Sequence, residues 1–381
     1  MAWQRTLLSL SALASCAVVY AQEPPGFIPL SEKKFKYPDG IPLKVDTDDY
    51  GRGAQFGVNQ CGPKTEGQTS VCQTALINSL DDFCLWAPPK PNSTIGDTEG
   101  EAVAWCTKPG HGARVIPKGA LTGVQFMRTR VHYSSPDYVQ VVGTIDQTQI
   151  NIAKDDFGGE MDSHGADRRG NPLGGIFYSN AFPSSGGDKN KYEQVIEWHN
   201  FMGSNTFCLK ACDPAGKNAA KFCEHRFDRI GCEFNAPSKP FASITGTFES
   251  CKGENQDFPG VYFENGKEKL YEQPPEALGP ITSVPYTARI PASSDCVAQP
   301  SSLLYAAAAT VTGTGTTTTS AAAGGTTKAT STGGKATSAG ANSVAPSKSS
   351  TPGSSDAPAT VVVSSALAGI FSVFLLCIFA L

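Results

Sequence analysis

Hydrophobic positions along this chain come mostly in short runs broken by Gly, Pro and Asp, a pattern of strands and turns rather than long helices. The runs GVQFM at 123–127, YVQVVGTI at 138–145 and TQINI at 148–152 are β-branched with partial alternation. Pro136-Asp137 and Asp146-Gln147 bound them, which predicts short antiparallel strands joined by tight turns. GIFY at 175–178 predicts a fourth strand, and the runs at 241–248, 260–263 and 281–286 predict more. Two stretches follow a different period. Val71, Cys72, Ala75, Leu76, Leu80, Phe83 and Cys84 recur at three- and four-residue spacing. Thr69 or Ser70 is placed to cap them and Pro88-Pro89 to close them, which predicts a helix over 70–83. Tyr192, Val195, Ile196 and His199 predict a second, short helical face. Ahead of both, Pro and Gly punctuate residues 22–60 so densely that an extended lead is expected there.

The two ends read as processing signals. Residues 1–21 carry Arg5, an apolar run and a small-x-small close at Val19-Tyr20-Ala21, which predicts a signal peptide. Residues 361–381 are hydrophobic with no Lys or Arg behind them. Gly353, Ser354 and Ser355 stand upstream, followed by a spacer with Asp356 and Pro358. That order predicts a glycosylphosphatidylinositol (GPI) anchor at Gly353, Ser354 or Ser355 and removal of 356–381; a retained spanning helix is the alternative. Ser and Thr set among Ala, Gly and Lys over 299–355 predict a disordered, O-glycosylated stalk that cannot bury a core. The expected location is therefore extracellular, at the cell surface or wall.

Cysteine usage agrees. Of twelve Cys, Cys16 and Cys377 lie in the terminal segments. The remainder, Cys61, Cys72, Cys84, Cys106, Cys208, Cys212, Cys223, Cys232, Cys251 and Cys296, is an even set, read as disulfides whose pairing the sequence leaves open. Four of them crowd into 200–235, a polar stretch with too little apolar sequence to hold itself together without cross-links. The fold class expected is mainly β: one disulfide-stabilised domain over 61–298, with short antiparallel strands and one or two short helices. A net charge of −4 and a pI near 5.8 argue against a nucleic-acid partner.

The densest polar segment is DDFGGEMDSHGADRRGN at 155–171. Two carboxylates among Asp155, Asp156, Glu160, Asp162 and Asp167 at the right separation would serve glycoside hydrolysis as acid and base or nucleophile. Asp162, His164 and Asp167 would alternatively ligate a divalent metal. The plainer reading is a turn-rich loop around Gly158, Gly159, Gly165 and Gly170, with carboxylates capping turns and pairing with Arg168 and Arg169. Cys208, Cys212, Cys223, His225 and Cys232 have loosely zinc-like spacing, but an oxidising compartment favours disulfides. His225 then reads as exposed or capping, and His199 as a satisfied histidine on a helix face. Trp86, Trp105 and Trp198 would stack on sugar rings in a glycan-binding module. No GxSxG elbow, HExxH pair, phosphate loop or dinucleotide fingerprint is present, so no catalytic residue, metal or cofactor is assigned. Asn92-Ser93-Thr94 is an N-glycosylation acceptor and predicts a surface loop.

The blocks at 78–112 (NSLDDFCLWAPPKPNSTIGDTEGEAVAWCTKPGHG), 138–152, 158–175 (GGEMDSHGADRRGNPLGG) and 195–216 (VIEWHNFMGSNTFCLKACDPAG) resemble the basidiomycete immunoreactive mannoproteins, or macrophage-activating glycoproteins. The resemblance covers roughly 36–294. It implies a fungal cell-surface mannoprotein with a structural or interaction role. Its implied partners are cell-wall polysaccharide, the lipid anchor and mannose-recognising receptors of phagocytes. The resemblance supplies no catalytic residues. The alternatives are a wall-bound carbohydrate-active enzyme using the 155–167 loop, or a non-catalytic glycan-binding module.

Overall fold

The computed structural model describes residues 23–129, 137–185 and 187–305. In chain order, β1 (Asp49–Tyr50) and β2 (Gly53–Ala54) form a small hairpin, followed by β3 (Thr74–Ser79), β4 (Asp82–Ala87), β5 (Val103–Cys106) and β6 (Arg114–Val115). β7 (Leu121–Thr129) pairs with β8 (Tyr138–Ile145), and β9 (Gly159–Asp162), β10 (Ile176–Ser179), β11 (Glu193–Val195), β12 (Trp198–Gly203) and β13 (Thr206–Cys212) come next. β14 (Phe248–Gly253), the hairpin of β15 (Val261–Glu264) with β16 (Lys267–Leu270), and β17 (Ser293–Ala298) complete the strands. The α-helices are single turns: α1 (Ile95–Thr98), α2 (Ala219–Phe222), α3 (Gly231–Asn235), α4 (Phe241–Ile244) and α5 (Ser302–Tyr305). They number five among the described residues, against the one or two expected.

The larger sheets run β11-β10-β3-β4-β5-β6 and β17-β14-β7-β8-β13-β12-β9. Most neighbours are antiparallel, and the two sheets pack on each other through aromatic side chains. Phe83 meets Phe207 with ring centroids 6.2 Å apart, and Trp86 and Phe177 meet Trp198 at 5.9 and 5.3 Å. The Trp86 amide donates to Asn200 Oδ1 across the same gap at 2.9 Å. Each such aromatic contributes about 2–3 kcal/mol on burial, so this layer supplies the main driving force. The fold is mainly β, as the sequence pattern predicts.

Several local expectations are overturned. Residues 70–83 form no helix; β3 and β4 turn back at Leu80-Asp81, and both strands are buried almost throughout. A strand covered on both faces loses its alternation, and its continuous apolar residues then match helical spacing by accident. The cover on the outer face comes from the lead. Tyr37 packs on Tyr178 and Tyr192 at 5.0 and 4.7 Å, while Gln194 accepts from the Phe35 amide and donates to the Lys33 carbonyl. Leu30, Ile41 and Val45 belong to the core, so residues 23–60 are part of the packed domain rather than an extended approach to it. The stretch 192–199 is β11 and the start of β12, not a helix. TQINI is a 3-10 turn over Gln147–Ile150, capped by the Asp146 carboxylate, not a strand. Residues 241–248 begin with α4, and 281–286 carry no strand.

The ten cysteines pair as Cys61–Cys72, Cys84–Cys106, Cys208–Cys232, Cys212–Cys223 and Cys251–Cys296. Packing also continues past 298, because Leu304 and Tyr305 of α5 return to the core. The residues read as a signal peptide, 1–21, those of the expected stalk beyond 305, and the expected anchor residues Gly353, Ser354 and Ser355 lie outside the described residues. Among the described residues no helix is long and apolar enough to cross a membrane.

Candidate functional site

Strand alternation places the most polar residues of the domain on one face of the larger sheet. Register pairs His199 with Asp162 and Phe201 with Glu160 across β12–β9, and His199 with Lys210 and Phe201 with Cys208 across β12–β13. Paired residues in an antiparallel ladder point to the same side, so all of these face away from Trp198 and the sandwich core. Such a face would ordinarily be wet. Here residues 213–247 fold back over it, tied down by Cys212–Cys223 and Cys208–Cys232, which is the structural work of the crowded cysteines.

The cover turns a solvated face into a buried polar layer. Lys210 is satisfied by the carbonyls of Phe222 and Asn235, the side chain of Gln256 and the ring of Tyr138 at 4.8 Å. Glu160 and His199 are less well served. They lie 3.9 Å apart at 2% and 0% side-chain exposure, and neither Glu160 oxygen has a hydrogen-bond partner. Burial, then the charge of Asp162, pushes the Glu160 carboxyl well above the usual carboxylate range, and burial drives the His199 imidazole well below its own. Both shifts favour a neutral pair over an ion pair. His199 Nδ1 donates to the Glu224 carbonyl at 3.2 Å, which fixes its tautomer and leaves Nε2 without a partner.

Toward solvent, the same face opens into an acidic cleft of about 820 Å³ lined by Glu99, Glu160, Asp228, Glu233 and Glu276, with Phe157 and Phe201 as apolar wall. Burial raises Glu99 to about 7 despite Arg52 nearby. Phe157 is 92% exposed at this cleft. Beside it Gly158, at φ +94°, comes so close to β12 that a Cβ would lie 1.7 Å from the Met202 carbonyl oxygen, so no side chain fits.

Beyond the end of β9, His164 and His225 stack with centroids 3.7 Å apart and planes within 4°. Donor atoms of His164, His225 and Glu197 all lie within 4.8 Å of one another. Glu197 Oε2 and His225 Nδ1 are buried without a hydrogen-bond partner, while Ser163 Oγ lies 3.0 Å from His164 Nδ1. Burial, then His225, lowers His164 to about 4, so its ring is neutral at neutral pH. Burial, then Glu224, raises Glu197 to about 7.

Two proteins of the fungus Mycosarcoma maydis are similar to this chain. Appressorium protein ROW1 is 48% identical over 208 residues, 55% of this chain and 46% of ROW1. Appressorium protein ROW2 is 39% identical over 229 residues, 59% of this chain and 72% of ROW2. The chain belongs to the family of ROW2. It spans about half the length of ROW1, at 46%. No family profile matches the chain, and no solved structure matches it.

In this ROW2-family chain, the loop residues singled out by sequence separate. Glu160, Asp162 and His164 do come together on and beyond β9. Asp167 does not join them; it grips Arg52 through two bonds of 2.9 and 2.6 Å. Arg169 is buried against Asp46 at 2.7 Å and Arg168 pairs with Glu23, so both arginines hold the N-terminal segment instead of the carboxylates of their own loop. Asp162 caps a turn as expected, accepting from the amides of His164 and Gly165. Trp86, Trp105 and Trp198 are 0%, 3% and 1% exposed and cannot stack on a ligand, because their strands lie inside the sandwich. His199 sits on a strand, and half-buried His225 stacks on His164 instead of capping. Sequence reasoning missed Glu99, Glu197 and Asp228.

Proposed function

We propose that this chain is a GPI-anchored mannoprotein of the fungal cell surface, its disulfide-bonded sandwich raised on the glycosylated stalk 299–355. Like the relatives named for the appressorium, it acts at that structure, in contact with wall polysaccharide. Its glycans, Asn92 among them, are what phagocyte receptors would read. The observation that carries this reading is the complete pairing of the ten cysteines, which requires an oxidising, secretory route. Asn92 supports it by standing exposed in a turn at φ 56°. Treating intact cells with phosphatidylinositol-specific phospholipase C should release the protein into the medium without residues 356–381. Protein that stays on the cells and keeps that tail would exclude the anchor.

A second reading rests on the acidic cleft. Five carboxylates beside an exposed Phe157 suit a hydroxyl-rich ligand such as a polysaccharide, and protonated Glu99 or Glu160 would supply the acid for its hydrolysis. Turnover of wall polysaccharides that disappears in Glu160→Gln and Glu99→Gln supports hydrolysis. Retention of the polysaccharide without turnover supports binding alone.

A further inference from the structure

We propose that His164, His225 and Glu197 form a binding site for one divalent transition-metal cation, Zn²⁺ foremost, which clamps the disulfide-bonded cover onto the sheet. The three donors come from three separate segments: the turn after β9, the position just before β12, and the cover two residues beyond Cys223. Their convergence within 4.8 Å is therefore a product of the tertiary fold, not of local sequence. Four-coordinate Zn²⁺ with bonds of about 2.0–2.2 Å spaces its donors about 3.3–3.5 Å apart. Imidazole lone pairs lie in the ring planes, and these planes are within 4° of parallel, so a shared cation would rotate the two rings out of their stack as it draws the donors together.

The second observation is the state of the donors themselves. Glu197 Oε2 and His225 Nδ1 are withdrawn from solvent and make no hydrogen bond. Buried acceptors without partners are uncommon, and a shared cation satisfies both at once. Ser163 Oγ beside His164 Nδ1 is the kind of outer contact that orients a ligating imidazole. Two imidazoles and one carboxylate suit Zn²⁺ or Cu²⁺ better than Ca²⁺ or Mg²⁺, which demand oxygen ligands. Three protein ligands leave a fourth position for water or a ligand oxygen. The other compact grouping among the described residues, Glu249 with Cys251 and Cys296, is ruled out because both sulfurs are bonded to each other.

The test uses the full chain from a secretory host, stripped with chelator and titrated with Zn²⁺ by calorimetry. Co²⁺ serves as a visible-absorption probe and Ca²⁺ as a comparison. One Zn²⁺ per chain, four-coordinate Co²⁺ bands and no Ca²⁺ uptake are expected. His225→Ala and Glu197→Gln should each weaken Zn²⁺ at least about tenfold and abolish the Co²⁺ bands. His111→Ala, whose ring pairs with Asp82 at 2.8 Å elsewhere, should bind as wild type. Thermal melting of each variant checks folding. If His164→Asn fails to fold, His225→Ala and Glu197→Gln decide the matter, because His225 Nδ1 and Glu197 Oε2 make no hydrogen bond that the fold would lose. No saturable uptake of Zn²⁺, Cu²⁺ or Co²⁺ overturns the site, as does unchanged affinity in both His225→Ala and Glu197→Gln. Neither result bears on anchoring or on polysaccharide turnover.

Discussion

Glu160 and His199 on the sheet face, with Glu99 on the 3-10 turn beside the cleft, show how a region that reads as polar in sequence becomes an unfavourable place for charge. All three shift mainly because burial removes hydration, and at Glu99 the nearby Arg52 charge offsets only part of that loss. For Glu99 the consequence has a definite sign. Its folded value near 7 exceeds the ordinary 4.5, so between these the folded state holds more protons than the unfolded. Its contribution is fully favourable below about 4.5 and is lost as pH rises through about 7. Glu99→Gln removes that loss. The variant should match wild type in thermal midpoint at pH 4 and exceed it by about 2 °C or more at pH 8. Equal midpoints at both pH values would refute the assignment. Residue types alone pointed to Glu160, Asp162 and His164 because carboxylates and histidine cluster in the 155–171 segment. They also misled, since Asp167 and the two arginines are spent on holding the N-terminal segment.

The covering segment is the element that makes the site, and its dependence on cross-links was legible from the cysteine density at 200–235. What the sequence concealed was the surface it covers. His199 lies on β12 and Glu197 in the bend just before it, whereas the apolar spacing of 192–199 predicts a helix. The same confusion arose at 70–83, where burial on both sides erased alternation, whereas β7 and β8 were legible from their β-branched runs. The cover's dependence on Cys208–Cys232, 24 residues apart, is measurable. Chain entropy assigns such a loop about 3–4 kcal/mol. Replacing both cysteines with Ala should lower the thermal midpoint by about 10 °C and expose 213–235 to protease before the sandwich itself unfolds. A midpoint within about 1 °C of wild type would mean that packing alone holds the cover.

For the molecule as a whole, the composition change near 301 suggested where the folded part ends, but composition reports what a segment is made of and not what it touches. SSLLY at 301–305 begins the Ser-rich stretch, yet Leu304 and Tyr305 are 1% and 6% exposed within the sandwich core. Tyr305 Oη accepts from the Leu121 amide at 3.0 Å and donates to the Leu121 carbonyl at 3.1 Å, at the start of β7. This single side chain therefore occupies both backbone groups of a strand that begins 184 residues earlier. Tyr305→Phe keeps the ring but leaves those groups unpaired, at about 1–3 kcal/mol. Tyr305→Ala also empties the pocket and should cost about 3–5 kcal/mol. A chain ended at Ala298 loses Leu304 as well and should melt lowest of the three. If the stalk truly began at 299, all three proteins would melt with wild type. A graded fall in the order Phe, Ala, truncation instead places the end of the folded domain at or beyond Tyr305.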